Sequence, residues 1–187
     1  DTRHITIILE GPIRYCNIFK TVDSYKHLCK EIILSSYVTE EEEKELKRIA
    51  SNIVILNHDP ADVDTETRLL YPPAKHLVKA KVTKKGFQQF YHMKRALPRV
   101  KTAFVLKART DQAYSNLDIA IKLMYSNDDK VVMFPFYIRG CATCKYHGAD
   151  MLFGCTTKKM MQIWLNYHPH NVANQLIEIG IWTGWMN

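Results

Sequence analysis

Short β-branched, apolar runs alternate along this chain with stretches whose apolar residues recur at helical spacing, and that alternation constrains the fold most. A strand, a helix and a second strand in succession close most readily into a parallel sheet with helices on its faces. His4-Ile5-Thr6-Ile7-Ile8-Leu9, Glu31-Ile32-Ile33-Leu34-Ser35, Ile53-Val54-Ile55-Leu56, Phe104-Val105-Leu106 and Val131-Val132-Met133-Phe134 read as strands. They are nearly continuous in apolar residues, as strands covered on both faces are. Between them, Asn17 reads as the N-cap of a helix to about Cys29, and Thr39-Glu40-Glu41-Glu42 has the capping-box pattern for a helix to about Ala50. Phe87, Phe90, Tyr91, Lys94 and Leu97 mark an amphipathic helix stopped before Pro98, and Asn116 precedes a helix through Tyr125. Further helices are expected near Thr157–Tyr167 and Val172–Ile181.

No internal repeat, low-complexity tract or linker interrupts the pattern, so residues 1–187 are read as one α/β domain with a mostly parallel sheet. At this length a single core buries about 70% of the unfolded chain's surface, and no disulfide or metal staple is required. The chain opens without Met, which suits a piece trimmed from a longer protein. No apolar run approaches the roughly 20 residues of a membrane span. Five Cys is an odd count and too few for a disulfide scaffold, so reduced thiols and a cytoplasmic setting are expected. The formal charge is +7, which suits an anionic ligand or contact with the edge of a membrane. Nucleic acid is the less favoured partner, because the basic residues are dispersed and no nucleic-acid-binding motif is present.

In a parallel sheet, ligands bind beyond the carboxyl ends of the strands. Glu10-Gly11-Pro12, Ser35-Ser36-Tyr37, Asn57-His58-Asp59 and Arg109-Thr110-Asp111 should therefore share one edge. Within Lys107-Ala108-Arg109-Thr110-Asp111-Gln112, Asp111 suits a hard divalent cation, and Lys107 or Arg109 suits a phosphate. The plainer reading makes Asp111 a turn cap paired with Arg109. Gly11-Pro12 is either a simple turn or a place where backbone approaches a ligand closely. The absence of Gly-x-Gly-x-x-Gly and Walker patterns argues against dinucleotide cofactors and P-loop phosphotransfer. Cys141-x-x-Cys144-x-x-His147 with Cys155 has the donor types of a zinc site, against a plain loop of free thiols. Asp150 is either a general base beside a cleft or an ordinary cap. Trp164, Trp182 and Trp185 read as core or interface residues, and the polar loop from His58 to about Leu77 is long enough to serve as a lid.

Four segments taken in order carry a resemblance. They are Ile7-Ile8-Leu9-Glu10-Gly11-Pro12, Glu31-Ile32-Ile33-Leu34-Ser35-Ser36, Lys107-Ala108-Arg109-Thr110-Asp111-Gln112 and His147-Gly148-Ala149-Asp150-Met151-Leu152-Phe153-Gly154. Together they resemble the WavE-type family of lipopolysaccharide and surface-glycan synthesis proteins, which are similar to glycosyltransferases of the GT-A fold. The resemblance covers most of residues 4–165. It implies a Rossmann-like sheet, a nucleotide-sugar donor such as a UDP-hexose, a divalent cation (Mn or Mg), and a glycan or glycoprotein acceptor. By the same resemblance, Glu10, Gly11, Pro12, Arg14, Ser35, Ser36 and Tyr37 cradle the nucleoside. Arg109-Thr110-Asp111 stands where such enzymes carry Asp-x-Asp, which leaves Asp111 as metal ligand and Arg109 or Lys107 on the diphosphate. Asp150 is then the expected base for the acceptor hydroxyl, with His147 in reserve. The competing expectations are a basic nucleic-acid-binding module and a zinc-stabilised interaction domain.

Overall fold

The computed structural model describes residues 4–13, 17–62, 81–110, 112–128, 130–133 and 152–165. Their elements in chain order are β1 (Ile5–Glu10), α1 (Ile18–Tyr25), β2 (Glu31–Ser36), α2 (Glu40–Ile49), β3 (Ile53–Asn57) and α3 (Lys81–Ala96). A 3₁₀ turn at Leu97–Arg99 leads to β4 (Phe104–Arg109), α4 (Leu117–Ser126), β5 (Val132–Met133), β6 (Leu152–Thr156) and α5 (Thr157–Leu165). The six strands form one sheet in the order β3-β2-β1-β4-β6-β5. The pairs β3/β2, β2/β1 and β1/β4 are parallel, whereas β6 runs antiparallel between β4 and β5. The expected α/β architecture with a mostly parallel sheet is what forms. No described helix is long and apolar enough to cross a membrane.

The local signals act as their chemistry requires. Asn17 accepts from the Lys20 amide at 3.2 Å, but α1 closes at Tyr25 rather than near Cys29. Thr39 and Glu42 complete a reciprocal capping box, and the acidic first turn of α2 faces its own positive dipole end. Asn116 holds the N-cap position of α4 without a side-chain hydrogen bond to the helix. α3 begins earlier than expected, at Lys81, and α5 is described from Thr157 to Leu165. The loop expected from His58 to Leu77 falls mostly outside the described residues, as does the helix expected at Val172–Ile181.

Side-chain alternation sorts the core into two layers. Ile5, Ile7, Leu9, Ile32, Leu34, Leu106 and Ala108 meet α1, α2 and α4 on one face through Val22, Tyr25, Leu46, Ile121 and Met124. Ile8, Ile33, Val105, Phe153 and Cys155 meet α3 and α5 on the other through Met93, Ala96, Met160, Ile163 and Trp164. From β1 the chain steps outward through β2 to β3 with its helices on the first face. It then returns along α3 on the second face to β4, on the far side of β1. A crossover of constant hand must change faces when the direction of travel reverses. In open α/β sheets such a reversal is where ligands bind, which here points to the loops that follow β1 and β4.

Candidate functional site

The parallel register brings the expected segments to one edge. Glu10 lies opposite Ser35 on one side and Arg109 on the other, while Ser36 lies opposite Asn57. Gly11 turns the chain with φ 109°, a conformation that favours glycine, and a Cβ there would lie 3.2 Å from Thr110 Oγ1. Two clasps fix the turn: Ser36 Oγ donates to the Gly11 carbonyl at 2.6 Å, and Thr110 Oγ1 donates to the Pro12 carbonyl at 2.8 Å. The Tyr114 amide donates to Tyr25 Oη at 2.7 Å, tying the loop after β4 to α1. Asn57 bonds both backbone groups of Val38 and so braces the end of β2. Tyr37, next to these clasps, is 47% exposed.

Beneath this edge a buried polar row crosses the α3 face of the sheet. Lys107 is wholly buried, with Nζ 3.2 Å from Glu10 Oε1 and 5.7 Å from the centre of the Trp164 ring. Ser35 Oγ lies 3.0 Å from His58 Nε2 and 3.1 Å from His92 Nδ1. A hydroxyl has one proton to give, and the His92 carbonyl at 3.4 Å shares with the two imidazoles in receiving it, so at least one imidazole donates N–H to the oxygen. Burial pushes the His92 pKa down to about 4. Tyr91 stands edge-on to both imidazoles and carries the Arg95 guanidinium over its ring.

These placements revise the sequence reading. Lys107 is the buried counter-ion of Glu10 rather than a surface group facing a diphosphate. Ser35 and Ser36 are both buried, the first with its hydroxyl turned onto α3 and the second bonded to the Gly11 carbonyl, so of the three only Tyr37 stands exposed at the rim. Arg109 is half-buried at the end of β4, directly opposite Glu10. Cys155 is 1% exposed, sits opposite Val105 in the core, and has its thiol pushed up to about 12 by burial. It is therefore a core residue, and the other three donors of the expected zinc set lie outside the described residues. Trp164 is a core residue, as expected. Arg14, Asp111, Cys141, Cys144, His147, Asp150, Trp182 and Trp185 lie outside the described residues.

The polar row itself was missed in the sequence. His58 was read only as a strand-end residue, and His92 hides at an apolar phase of an amphipathic helix. The signal is the pair of hydroxyl residues, Ser35 and Ser36, that ends a strand with an apolar centre. Among the described residues no three His, Cys, Asp or Glu converge on a metal-sized site, and Glu10 is committed to Lys107. No protein-family model matches the chain, and no curated protein matches it.

Proposed function

We propose that the chain is a glycosyltransferase that transfers a sugar from a nucleotide-sugar, with a UDP-hexose as the first donor to test, to a glycan or glycoprotein acceptor. The observation that carries this reading is the reversal of strand order at β1, which brings the ends of β1, β2 and β4 together. There Gly11, Ser36, Tyr37 and Arg109 come together at the carboxyl ends of β1, β2 and β4. The accessible Tyr37 ring suits a nucleoside, and Arg109 suits the diphosphate next to it. As the anomeric bond breaks, negative charge grows on the leaving diphosphate, and a guanidinium already in place stabilises it without reorganisation. A divalent cation would be held by Asp111 and would add further charge to the same group. Asp150 is the proposed base for the acceptor hydroxyl, with His147 as its alternative. The resemblance to WavE-type proteins agrees with this assignment, and the cytoplasm, where nucleotide-sugars are available, is the proposed location.

A thermal-shift panel of UDP-, GDP- and dTDP-sugars, each with Mn, Mg or chelator, tests it on the unaltered chain and on Asp111→Ala. A ligand at 100 times its Kd adds about 2.7 kcal/mol of stability. A metal-dependent rise in Tm with one nucleotide, lost in Asp111→Ala, is the expected result. No rise with any nucleotide would remove the transferase reading.

A further inference from the structure

α3 follows the carboxyl end of β3 and leads to the start of β4, so it runs against the parallel strands, and it packs over β2 and β1. Gln89, His92, Met93 and Ala96 recur at i, i+3, i+4 and i+7, and all four are buried. His92 is pinned over Ser35. Gln89 lies one turn earlier, about 4.5 Å further toward the carboxyl edge. A strand advances about 3.3 Å per residue, so Gln89 stands level with Ser36, Tyr37 and the Glu10-Gly11 turn. It is 8% exposed, and its Nε2 has no hydrogen-bond partner. Buried amide nitrogens almost always have one, and an exception at a ligand edge points to a group the ligand supplies. An NH₂ only donates, so the missing partner is an acceptor oxygen.

We propose that Gln89 is a specificity-determining residue of the nucleotide site, its side-chain amide donating to an uncharged oxygen of the nucleoside, either a base carbonyl or a ribose hydroxyl. The inference rests on the nucleotide-sugar reading above and adds a contact from the helix layer to those from the strand ends. The test compares Gln89→Met, which removes the donor at similar length, with the unaltered chain. Affinities for UDP, CDP, GDP and dUDP are measured by calorimetry, and the ligand-free Tm is recorded for both. The expected result is binding weakened about fivefold to tenfold with a ligand-free Tm equal or higher, because a buried unpaired amide has been replaced by an apolar group. A loss confined to certain bases assigns the carbonyl, and a loss seen with UDP but not dUDP assigns the 2′-hydroxyl. Undiminished binding by Gln89→Met overturns the inference and leaves the transferase reading standing. A lowered ligand-free Tm, or failure to fold, means that the amide is structural and also overturns it. Gln89→Asn, which keeps the NH₂ but withdraws it by one carbon, should fold and bind more weakly, and full affinity there would count against the contact. If the unaltered chain binds none of the four, both readings fall together.

Discussion

Lys107 brings a full positive charge into a layer otherwise filled by Ile8, Ile33, Val105 and Phe153, and it is stable there because Glu10 and the Trp164 face surround its ammonium. Removing one partner strands the other in low dielectric. Lys107→Met should therefore cost about 3–5 kcal/mol in urea denaturation, whereas Lys107→Met with Glu10→Gln should recover most of the loss. His92 sets a pH dependence. The groups facing it are Ser35 and His58 from the sheet, with Tyr91 and Arg95 on its own helix and the Glu10–Lys107 pair on the same sheet face. Its folded pKa of about 4 lies below the ordinary 6.5, so the unfolded chain binds the proton more readily. Stability from the neutral imidazole is complete above pH 6.5 and is lost as the pH falls toward 4, at up to about 1.4 kcal/mol per pH unit. Urea midpoints taken from pH 7 to pH 4.5 should fall steeply in the unaltered chain and less steeply in His92→Asn.

Among the elements, β6 shows how one residue sets a strand's place. It fits between β4 and β5 because Gly154 presents no side chain beneath α4. A Cβ there would come within 2.6 Å of Leu106 Cδ1 and closer still to Met124 Sδ, and both neighbours are buried. Gly154→Ala should therefore cost about 1–3 kcal/mol through overpacking, read as a lower Tm. α2 illustrates the opposite case, an element specified locally. Thr39, Glu42 and the acidic first turn define its start without help from the core, which receives only Leu46 fully. That start was legible in the sequence for this reason. The direction of β6 was not, because an apolar pentapeptide buried on both faces has no preference for parallel or antiparallel neighbours.

Across the whole molecule, the strand-end edge depends on two loops 98 residues apart being clasped where Thr110 meets Pro12, beside the turn at Gly11. Gly11→Ala forces an L-residue to a positive φ and crowds Thr110 Oγ1, so it should lower stability by about 1 kcal/mol or more. It should also reduce any nucleotide-induced rise in Tm, since the Thr110–Pro12 clasp shapes the rim. Alternating apolar runs, helix caps and strand-end polar residues are short-range properties. The sequence alone therefore determined the α/β class, most element positions, and the gathering of Glu10, Ser35, His58 and Arg109 at one edge. Which way those side chains face follows from strand register and from what packs above. Only tertiary structure decided that Glu10 and Lys107 neutralise each other, that Ser35 turns inward to His58 and His92, and that Cys155 lies in the core. A one-residue change of phase would exchange inward and outward positions, and that phase is fixed by the burial of both sheet faces together.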